Sequence, residues 1–267
     1  MSMLSRVQTS TSIDPPRIVV HGPDGAGKTT LAASMLRPVF LPCEEGRGVL
    51  RVSAFPVPHD YEEVVEAIDE LLKMDHDYRS FVIDTADHLE PLIWDKTCRA
   101  HTTAKNKYEH IEDFGYAKGY QYADPYWKEI LQGLDALRRE KAMTICVLCH
   151  SAVVEIKDPN LGPYHKIEPR IHKRGNELLR QWADIVGYLD IERVAVDQGD
   201  KSAGKSKTIR TAAVTGRRVL HLEDQGSFKA KNRYGLPPEI EIPLENPFEA
   251  LRSEVMKRIQ PVSKETK

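Results

Sequence analysis

The sequence has few cysteines and no long apolar run, and each shortage excludes a class of protein. Four cysteines among 267 residues do not make a disulfide framework. The longest apolar stretches span only a handful of residues, whereas a membrane helix needs roughly 20. The first residues also lack the apolar core of a secretory signal. We therefore expect a cytoplasmic protein with no membrane partner.

Neither sign of charge dominates the chain. The 38 basic and 40 acidic residues give a net charge of -2, which excludes a uniformly basic nucleic-acid binder and leaves local basic strips open. The hydrophobic fraction of 40% supplies a core, and the length fits one domain with decorations. We expect a disordered leader over residues 1–15, a core over 16–245, and a C-terminal helix with a basic tail over 246–267.

Cys146 and Cys149 form a C-x-x-C pair, which is typical of redox or metal chemistry. They lie in the apolar run Met143–Cys149, which we predict to be a strand. Residues three apart on a strand point to opposite faces. We therefore predict that both are core cysteines.

Short apolar runs alternate with helical patterns in the first half of the chain, and strands follow one another directly in the second half. This order predicts an α/β fold with a mostly parallel central sheet, helices beside it and an antiparallel C-terminal extension. Residues 101–124 and 158–174 show no period and are predicted as irregular segments. Thr215-Gly216, between Thr208–Val214 and Arg218–Leu222, predicts a hairpin turn.

The segment Gly22–Thr29, GPDGAGKT, matches the P-loop pattern between an apolar run and a predicted helix. Glycines let the backbone N–H groups wrap a phosphate, and the helix N-terminus adds partial positive charge. Lys28 would reach the β- and γ-phosphates, and Thr29 would bind Mg²⁺. The pattern predicts an ATP and Mg²⁺ site formed by Gly22, Pro23, Asp24, Gly25, Ala26, Gly27, Lys28, Thr29 and Thr30.

Polar residues also follow three other predicted strands. Asp84 ends the apolar run 81–84 and is predicted to hold Mg²⁺, the alternative being a cap on the next helix. Glu44 and Glu45 follow the second strand, where one carboxylate would activate the attacking water; position favours Glu44. His150 follows a buried strand and is predicted to contact the γ-phosphate, although a lone histidine is more often structural.

These residues together resemble the RecA core and, more narrowly, the phage-encoded RecA-core single-strand annealing proteins of the Sak group. The resemblance runs from about Arg17 to Pro238. FLPCE, ending at Glu44, resembles the strand with the catalytic glutamate, and FVID, ending at Asp84, resembles the Walker B strand. VLCH, ending at His150, resembles the sensor strand, which usually ends in glutamine. Gly175-Asn176 resembles the start of the helix after the second DNA loop.

The segment KAKNRYGLP over residues 229–237 resembles the late K-x-[KR] segment of that core. The resemblance implies that Lys231 and Arg233 reach the ATP of a neighbouring subunit. It also implies an ATPase that binds single-stranded DNA in homologous recombination and assembles as a ring or filament. A single-strand-binding protein is a further candidate partner.

Basic and aromatic residues in the two irregular segments are the candidates for DNA contact, because cations track phosphates and aromatic rings stack on bases. Solvated loops with scattered charge are the alternative. The candidates are Lys105, Lys107, Lys166, Arg170, His172, Lys173 and Arg174. Two other functions stay open from the sequence: a small-molecule or nucleoside kinase, and an ATP-binding regulatory module that does not bind DNA.

Overall fold

The computed structural model describes residues 14–45, 51–199 and 208–259, in which ten strands form a sheet with helices on both faces. The strands are β1 (Arg17–Gly22), β2 (Pro38–Pro42), β3 (Ser53–Ala54), β4 (Ser80–Asp84), β5 (Thr144–Asp158), β6 (Gly162–Pro169), β7 (Ile185–Gly199), β8 (Thr208–His221), β9 (Lys231–Asn232) and β10 (Glu239–Ile242). The helices are α1 (Lys28–Ala33), α2 (Tyr61–Lys73), α3 (Ala86–His101), α4 (Lys118–Tyr122), α5 (Asp124–Glu140), α6 (Lys173–Trp182) and α7 (Pro247–Ile259).

The sheet is mostly parallel. Its order is β10-β8-β7-β1-β5-β4-β2-β3, and the neighbours from β7 to β3 run parallel. At the lateral edge opposite β3, strand β8 pairs antiparallel with β7, and β10 pairs antiparallel with β8. The predicted α/β fold with an antiparallel C-terminal extension is therefore confirmed. Strand β5 lies between the strand before the P-loop and the strand that ends at Asp84.

Alternation along the central strands builds two apolar layers. Val19 faces one layer, whereas Ile18 and Val20 face the other. Leu251 of α7 is fully buried in the second layer, together with Leu31 of α1. Helix α7 thus contributes directly to the core, and the predicted basic tail from residue 260 lies outside the described residues, as does most of the predicted leader.

The prediction of an irregular segment over 158–174 is wrong. Strand β5 continues past His150, and its residues from Ser151 onward pair antiparallel with β6 to form a hairpin. Exposure alternates along Val153–Lys157, where every second residue is exposed. His150 is the last residue that pairs with β1, so it still marks the carboxyl edge of the parallel sheet.

The predicted hairpin at Thr215-Gly216 is also wrong. Strand β8 runs through both residues without reversing, and its register against β7 shifts between Ile191 and Arg193. Gly216 has φ of 85°, a conformation that glycine adopts readily and that β-bulges use. The connection between β7 and β8 falls in residues 200–207, which lie outside the described part of the chain.

The segment 101–124 is more regular than predicted. It contains a 3₁₀ turn over Ile111–Phe114 and helix α4. Tyr108 and Tyr122 pack on Phe114, and these ring contacts hold the two short elements together.

Cys146 and Cys149 are buried on opposite sides of β5, one in each apolar layer. Both carry free thiols, and burial raises the pKa of each. The prediction of core cysteines is confirmed. Among the described residues, no helix combines the length and apolar character needed to cross a bilayer.

Candidate nucleotide site

The carboxyl ends of four parallel strands meet at one edge of the sheet, which is where α/β proteins place their ligand sites. A cavity of about 370 Å³ opens at this edge. It brings together the P-loop, Asp84, both candidate glutamates and His150. The residues that line it are Asp24, Gly25, Gly27, Lys28, Thr29, Thr30, Pro42, Glu44, Glu45, Asp84, Thr85, His150 and Arg218.

The loop that follows β1 requires glycine at specific positions. Gly25 and Gly27 have φ of 75° and 98°, a backbone conformation that residues other than glycine rarely adopt. A Cβ at Gly22 would lie 2.3 Å from the carbonyl oxygen of Leu189, so no side chain fits there. Gly22 thus lets the loop pack closely on β7, while Gly25 and Gly27 line the cavity without Cβ atoms, which suits the close approach of a phosphate.

Lys28 is the first residue of α1 and is buried, with a relative exposure of 6%. Its ammonium donates hydrogen bonds of 3.0 Å to the carbonyl oxygens of Gly22 and Pro23. Burial lowers the pKa of Lys28, while Asp24 and Asp84 oppose that shift. The ammonium is therefore folded over the loop, in position to turn toward phosphate oxygens.

Thr29 and Asp84 form the part of the site that fits a magnesium ion. The hydroxyl of Thr29 donates a hydrogen bond of 3.0 Å to Oδ2 of Asp84. Burial raises the pKa of Asp84, and the nearby Glu44 adds to the rise. A cation between the hydroxyl and the carboxylate would stabilise the ionised form, and oxygen ligands are the ones that Mg²⁺ prefers.

Glu44 and Glu45 both reach the cavity, but their surroundings differ. Glu45 is exposed, whereas Glu44 is half-buried, with its Oε2 atom 3.3 Å from Nδ1 of His88. His88 lies in the first turns of α3, and its Nδ1 is also 3.0 Å from the hydroxyl of Thr85. A fixed carboxylate at the cavity is suited to orient a water molecule.

Asp87 is a buried carboxylate that holds His150 in place. It accepts hydrogen bonds from the backbone N–H of His150 and from Nδ1 of the same residue, each 2.9 Å long. Arg170 donates to the same carboxylate at 2.6 Å. Burial alone would raise the pKa of Asp87, but these hydrogen bonds outweigh it and keep the pKa well below its usual range.

His150 also contacts the P-loop, because its Nε2 atom lies 3.2 Å from Oδ1 of Asp24. A continuous set of contacts therefore runs from Asp24 through His150 and Asp87 to Arg170. Arg170 follows the β5–β6 hairpin. The sequence did not indicate Asp87 or His88 as site residues. The local pattern of α3 does not show which of its side chains face the cavity or which residues they contact.

Arg218 is a further cation at the cavity that sequence reasoning missed. It lies on β8 directly after the bulge, and its Nε donates a 3.1 Å hydrogen bond to the carbonyl oxygen of Ala26. A Cβ at Gly27 would lie 3.1 Å from the same nitrogen. Only the register of β8 brings this guanidinium to the P-loop.

Lys231 and Arg233 lie on the opposite side of the sheet from the cavity, where the parallel strands begin. Lys231 pairs with Val186 near the start of β7, and its ammonium donates to three carbonyl oxygens at the end of α6. Burial lowers the pKa of Lys231 to about 8. Arg233 donates to Gln181, and its side chain is 48% exposed.

Three of the seven candidate DNA residues are in ion pairs. Lys166 is buried against Asp224, Arg174 is paired with Asp124, and Arg170, although its side chain is 50% exposed, is bound to Asp87. Lys105, Lys107 and Lys173 are exposed, and His172 is half-buried. The two segments meet where the rings of Tyr120 and His172 stack at 3.7 Å.

Comparison with known proteins identifies a family that covers most of the chain. Residues 14–234 match a family described as an AAA domain, a span that includes all the residues of the cavity. No curated protein matches the chain. The crystal structure of the RadB recombinase aligns with 87% of this chain and 90% of its own, with 17% sequence identity and a TM-score of 0.47.

Proposed function

Because the chain belongs to the AAA domain family, we propose that it binds ATP with Mg²⁺ and hydrolyses the nucleotide. The observation that carries this proposal is the convergence of a P-loop, the Thr29–Asp84 pair and Glu44 on one cavity. Each of these parts has a role in phosphoryl transfer. A chance glycine-rich loop would not gather the other parts at the same edge of the sheet.

Some residues of the cavity would bind the nucleotide, and others would take part in the reaction. The backbone N–H groups between Gly22 and Thr29 would hold the phosphates, and Lys28 would release its two carbonyl partners to bind the β- and γ-phosphates. Thr29 and Asp84 would hold Mg²⁺, which when bound neutralises charge on the phosphate oxygens. His150, fixed by Asp87, would donate toward the γ-phosphate.

Glu44 is the candidate base, and Glu45 is the matched control. Glu44→Gln keeps the shape of the side chain and removes the proton acceptor. We expect this variant to bind ATP as the wild type does and to turn it over about 10²–10⁴-fold more slowly, the usual contribution of a general base. Phosphate release measured with saturating ATP tests this. Slow turnover in Glu45→Gln with normal turnover in Glu44→Gln would assign the base to Glu45.

We further propose that the protein binds single-stranded DNA. The segment 101–124 and the residues after the β5–β6 hairpin lie side by side through the Tyr120–His172 stack. Tyr116 in this region is 95% exposed, and an exposed ring is suited to stack on a base. Lys105 and Lys107 are exposed cations of the same segment, so this segment offers both a ring that can stack on bases and positive charge for phosphates.

The contacts from the P-loop to Arg170 favour a link between the two proposed ligands. A nucleotide phosphate near Asp24 would compete for His150, and His150 shares the carboxylate of Asp87 with Arg170. Arg170 lies between the hairpin and α6. ATP binding would therefore alter contacts beside the proposed DNA surface.

We also propose that subunits assemble head-to-tail as a ring or filament and act in strand annealing, as the Sak-group resemblance implies. The location of Arg233 supports this assembly, because its guanidinium lies at the edge opposite the P-loop of its own chain. A neighbour stacked on that edge would offer its P-loop to Arg233. Lys231 is bound to the end of α6, so Arg233 is the stronger candidate for the shared contact.

A further inference from the structure

Three side chains at the nucleotide cavity bring metal-ligating atoms together, and none of them belongs to the Thr29–Asp84 pair. They are Glu44 after β2, His88 on α3 and His150 on β5. One ligand atom from each lies within 4.8 Å of the others. All three side chains are half-buried, which leaves the group open to an ion from solution.

The chemistry of this group differs from that of the Thr29–Asp84 pair. Two imidazoles and one carboxylate are a ligand set of Zn²⁺ and related transition metals, with further positions left for water. Mg²⁺ prefers oxygen ligands. The three-residue group and the Thr29–Asp84 pair would therefore select different ions at neighbouring positions.

The surroundings of His150 fix which of its nitrogens is available. Nδ1 donates its proton to Asp87 at 2.9 Å, so the lone pair of a neutral imidazole is on Nε2. A carboxylate hydrogen bond behind a histidine ligand is a recurrent feature of metal sites, where it sets the orientation and the tautomer. Asp87 also lies 3.7 Å from Nδ1 of His88, so one carboxylate is close to both imidazoles.

The second ring nitrogen of His150, Nε2, faces negative charge. Nε2 is 3.2 Å from Oδ1 of Asp24, and two acceptors at this distance repel each other unless a proton or a cation lies between them. Asp24, Glu44 and Asp87 place three carboxylates in contact with the two imidazoles. The nearby cations are Arg170, which is bound to Asp87, and Lys28 and Arg218, which are hydrogen-bonded to carbonyl oxygens of the P-loop. The carboxylates that contact the imidazoles thus favour a bound cation.

We infer that Glu44, His88 and His150 bind one divalent transition-metal ion of the Zn²⁺ type. The consequence for turnover rests on the proposed function: an ion on Glu44 would withdraw that carboxylate from the attacking water, so metal binding and hydrolysis would exclude each other. The ion would hold the nucleotide site inactive until it is removed.

The test uses the full chain after treatment with a chelator, without nucleotide. Co²⁺ serves as a spectroscopic probe of the ligand set, and Zn²⁺ affinity is measured by calorimetry. We expect one ion per chain, a visible Co²⁺ spectrum typical of nitrogen and oxygen ligands, and no competition from excess Mg²⁺. His88→Ala and Glu44→Gln should each weaken Zn²⁺ binding at least tenfold, since even the loss of an outer hydrogen-bond partner costs about 10–100-fold.

The exposed His59 provides a matched control, and His59→Ala should bind Zn²⁺ as the wild type does. Glu44→Gln preserves side-chain volume, so it decides the question even if His88→Ala unfolds. Absence of the Co²⁺ spectrum in the wild type, or a Zn²⁺ affinity equal to that of the wild type in both site variants, would overturn the inference. Binding of Mg²⁺–ATP by the metal-free protein is measured separately, and its absence would overturn the proposed function while leaving the Co²⁺ result intact.

Discussion

At the scale of single residues, His21 is a fully buried imidazole directly before the P-loop. Its Nε2 lies 2.7 Å from the carbonyl oxygen of Lys229, and its Nδ1 lies 2.9 Å from the hydroxyl of Ser151. A carbonyl oxygen only accepts, so Nε2 carries the proton and Nδ1 accepts from the serine. The neutral ring therefore satisfies both partners.

This burial makes stability depend on pH in a defined window. Burial lowers the pKa of His21 from 6.5 to about 4, and the Lys28 ammonium adds to the effect. Between these values the unfolded chain binds the proton and the folded chain does not, so stability is complete above pH 6.5 and falls as the pH drops toward 4. The expected loss is about 1.4 kcal/mol for each pH unit.

Denaturant unfolding of the wild type and of His21→Gln across this window measures that contribution. An amide can replace both hydrogen bonds of the ring, but it does not titrate. We expect the difference in unfolding free energy between the two proteins to change with pH from about 6.5 to 4. A difference that stays constant with pH would show that folding does not change the pKa of His21.

At the scale of structural elements, the proposed DNA surface rests on the segment 101–124. On single strands, the logarithm of the affinity falls with the logarithm of salt by about 0.7 for each phosphate contact. We expect the Lys105→Ala/Lys107→Ala double variant to have a slope less steep by about 1.4. Fluorescence anisotropy with a labelled oligonucleotide, with and without ATP, measures the slope.

The control for this experiment is the double variant Lys73→Ala/Lys257→Ala, which removes the same charge from exposed positions in the last turns of α2 and α7. Its slope should equal that of the wild type. Equal slopes for both double variants would assign DNA binding to another surface, with Lys173 the next residue to test.

Several elements were predictable because their patterns are local. The strand before the P-loop and the strand ending at Asp84 are short apolar runs with polar residues directly after them. The carboxyl ends of parallel strands share one edge, so the meeting of Glu44, Asp84 and His150 at the cavity follows from their positions in the sequence.

Other features depend on contacts that a local pattern does not contain. Thr215-Gly216 is a typical turn pair, but a glycine with positive φ serves a bulge as well as a reversal. The residues after His150 alternate in exposure, yet they pair with a strand that has few apolar residues. Arg218 reaches the P-loop through strand register, and His88 reaches Glu44 through the packing of α3, so neither was predictable.

At the scale of the whole molecule, the two edges of the sheet carry different candidate functions. The carboxyl edge holds the nucleotide cavity, while the amino edge holds Arg233, hydrogen-bonded to Gln181 and beside Asp184. With β1 six residues long and a rise of about 3.3 Å per residue, the two edges are roughly 16 Å apart. Arg233 is thus too distant to complete the site of its own chain.

Mixing two inactive variants tests the shared site. Lys28→Ala lacks a working P-loop, and Arg233→Ala lacks the proposed neighbour contact, so each should hydrolyse ATP poorly alone. In an equal mixture, about a quarter of head-to-tail interfaces would pair an intact P-loop with an intact Arg233. We expect partial recovery of turnover. No recovery, with both variants assembled by light scattering, would exclude the shared site.

The central claim is that the cavity binds Mg²⁺–ATP through the P-loop, and Lys28 tests it most directly. Calorimetric titration of wild type, Lys28→Ala and the exposed control Lys73→Ala with Mg²⁺–ATP is the decisive measurement, followed by phosphate release on the same samples. Loss of a charged hydrogen bond of about 1.5–3 kcal/mol predicts affinity weaker by roughly 10–100-fold in Lys28→Ala, with turnover lost and the control unchanged. Wild-type affinity and turnover in Lys28→Ala would contradict the account.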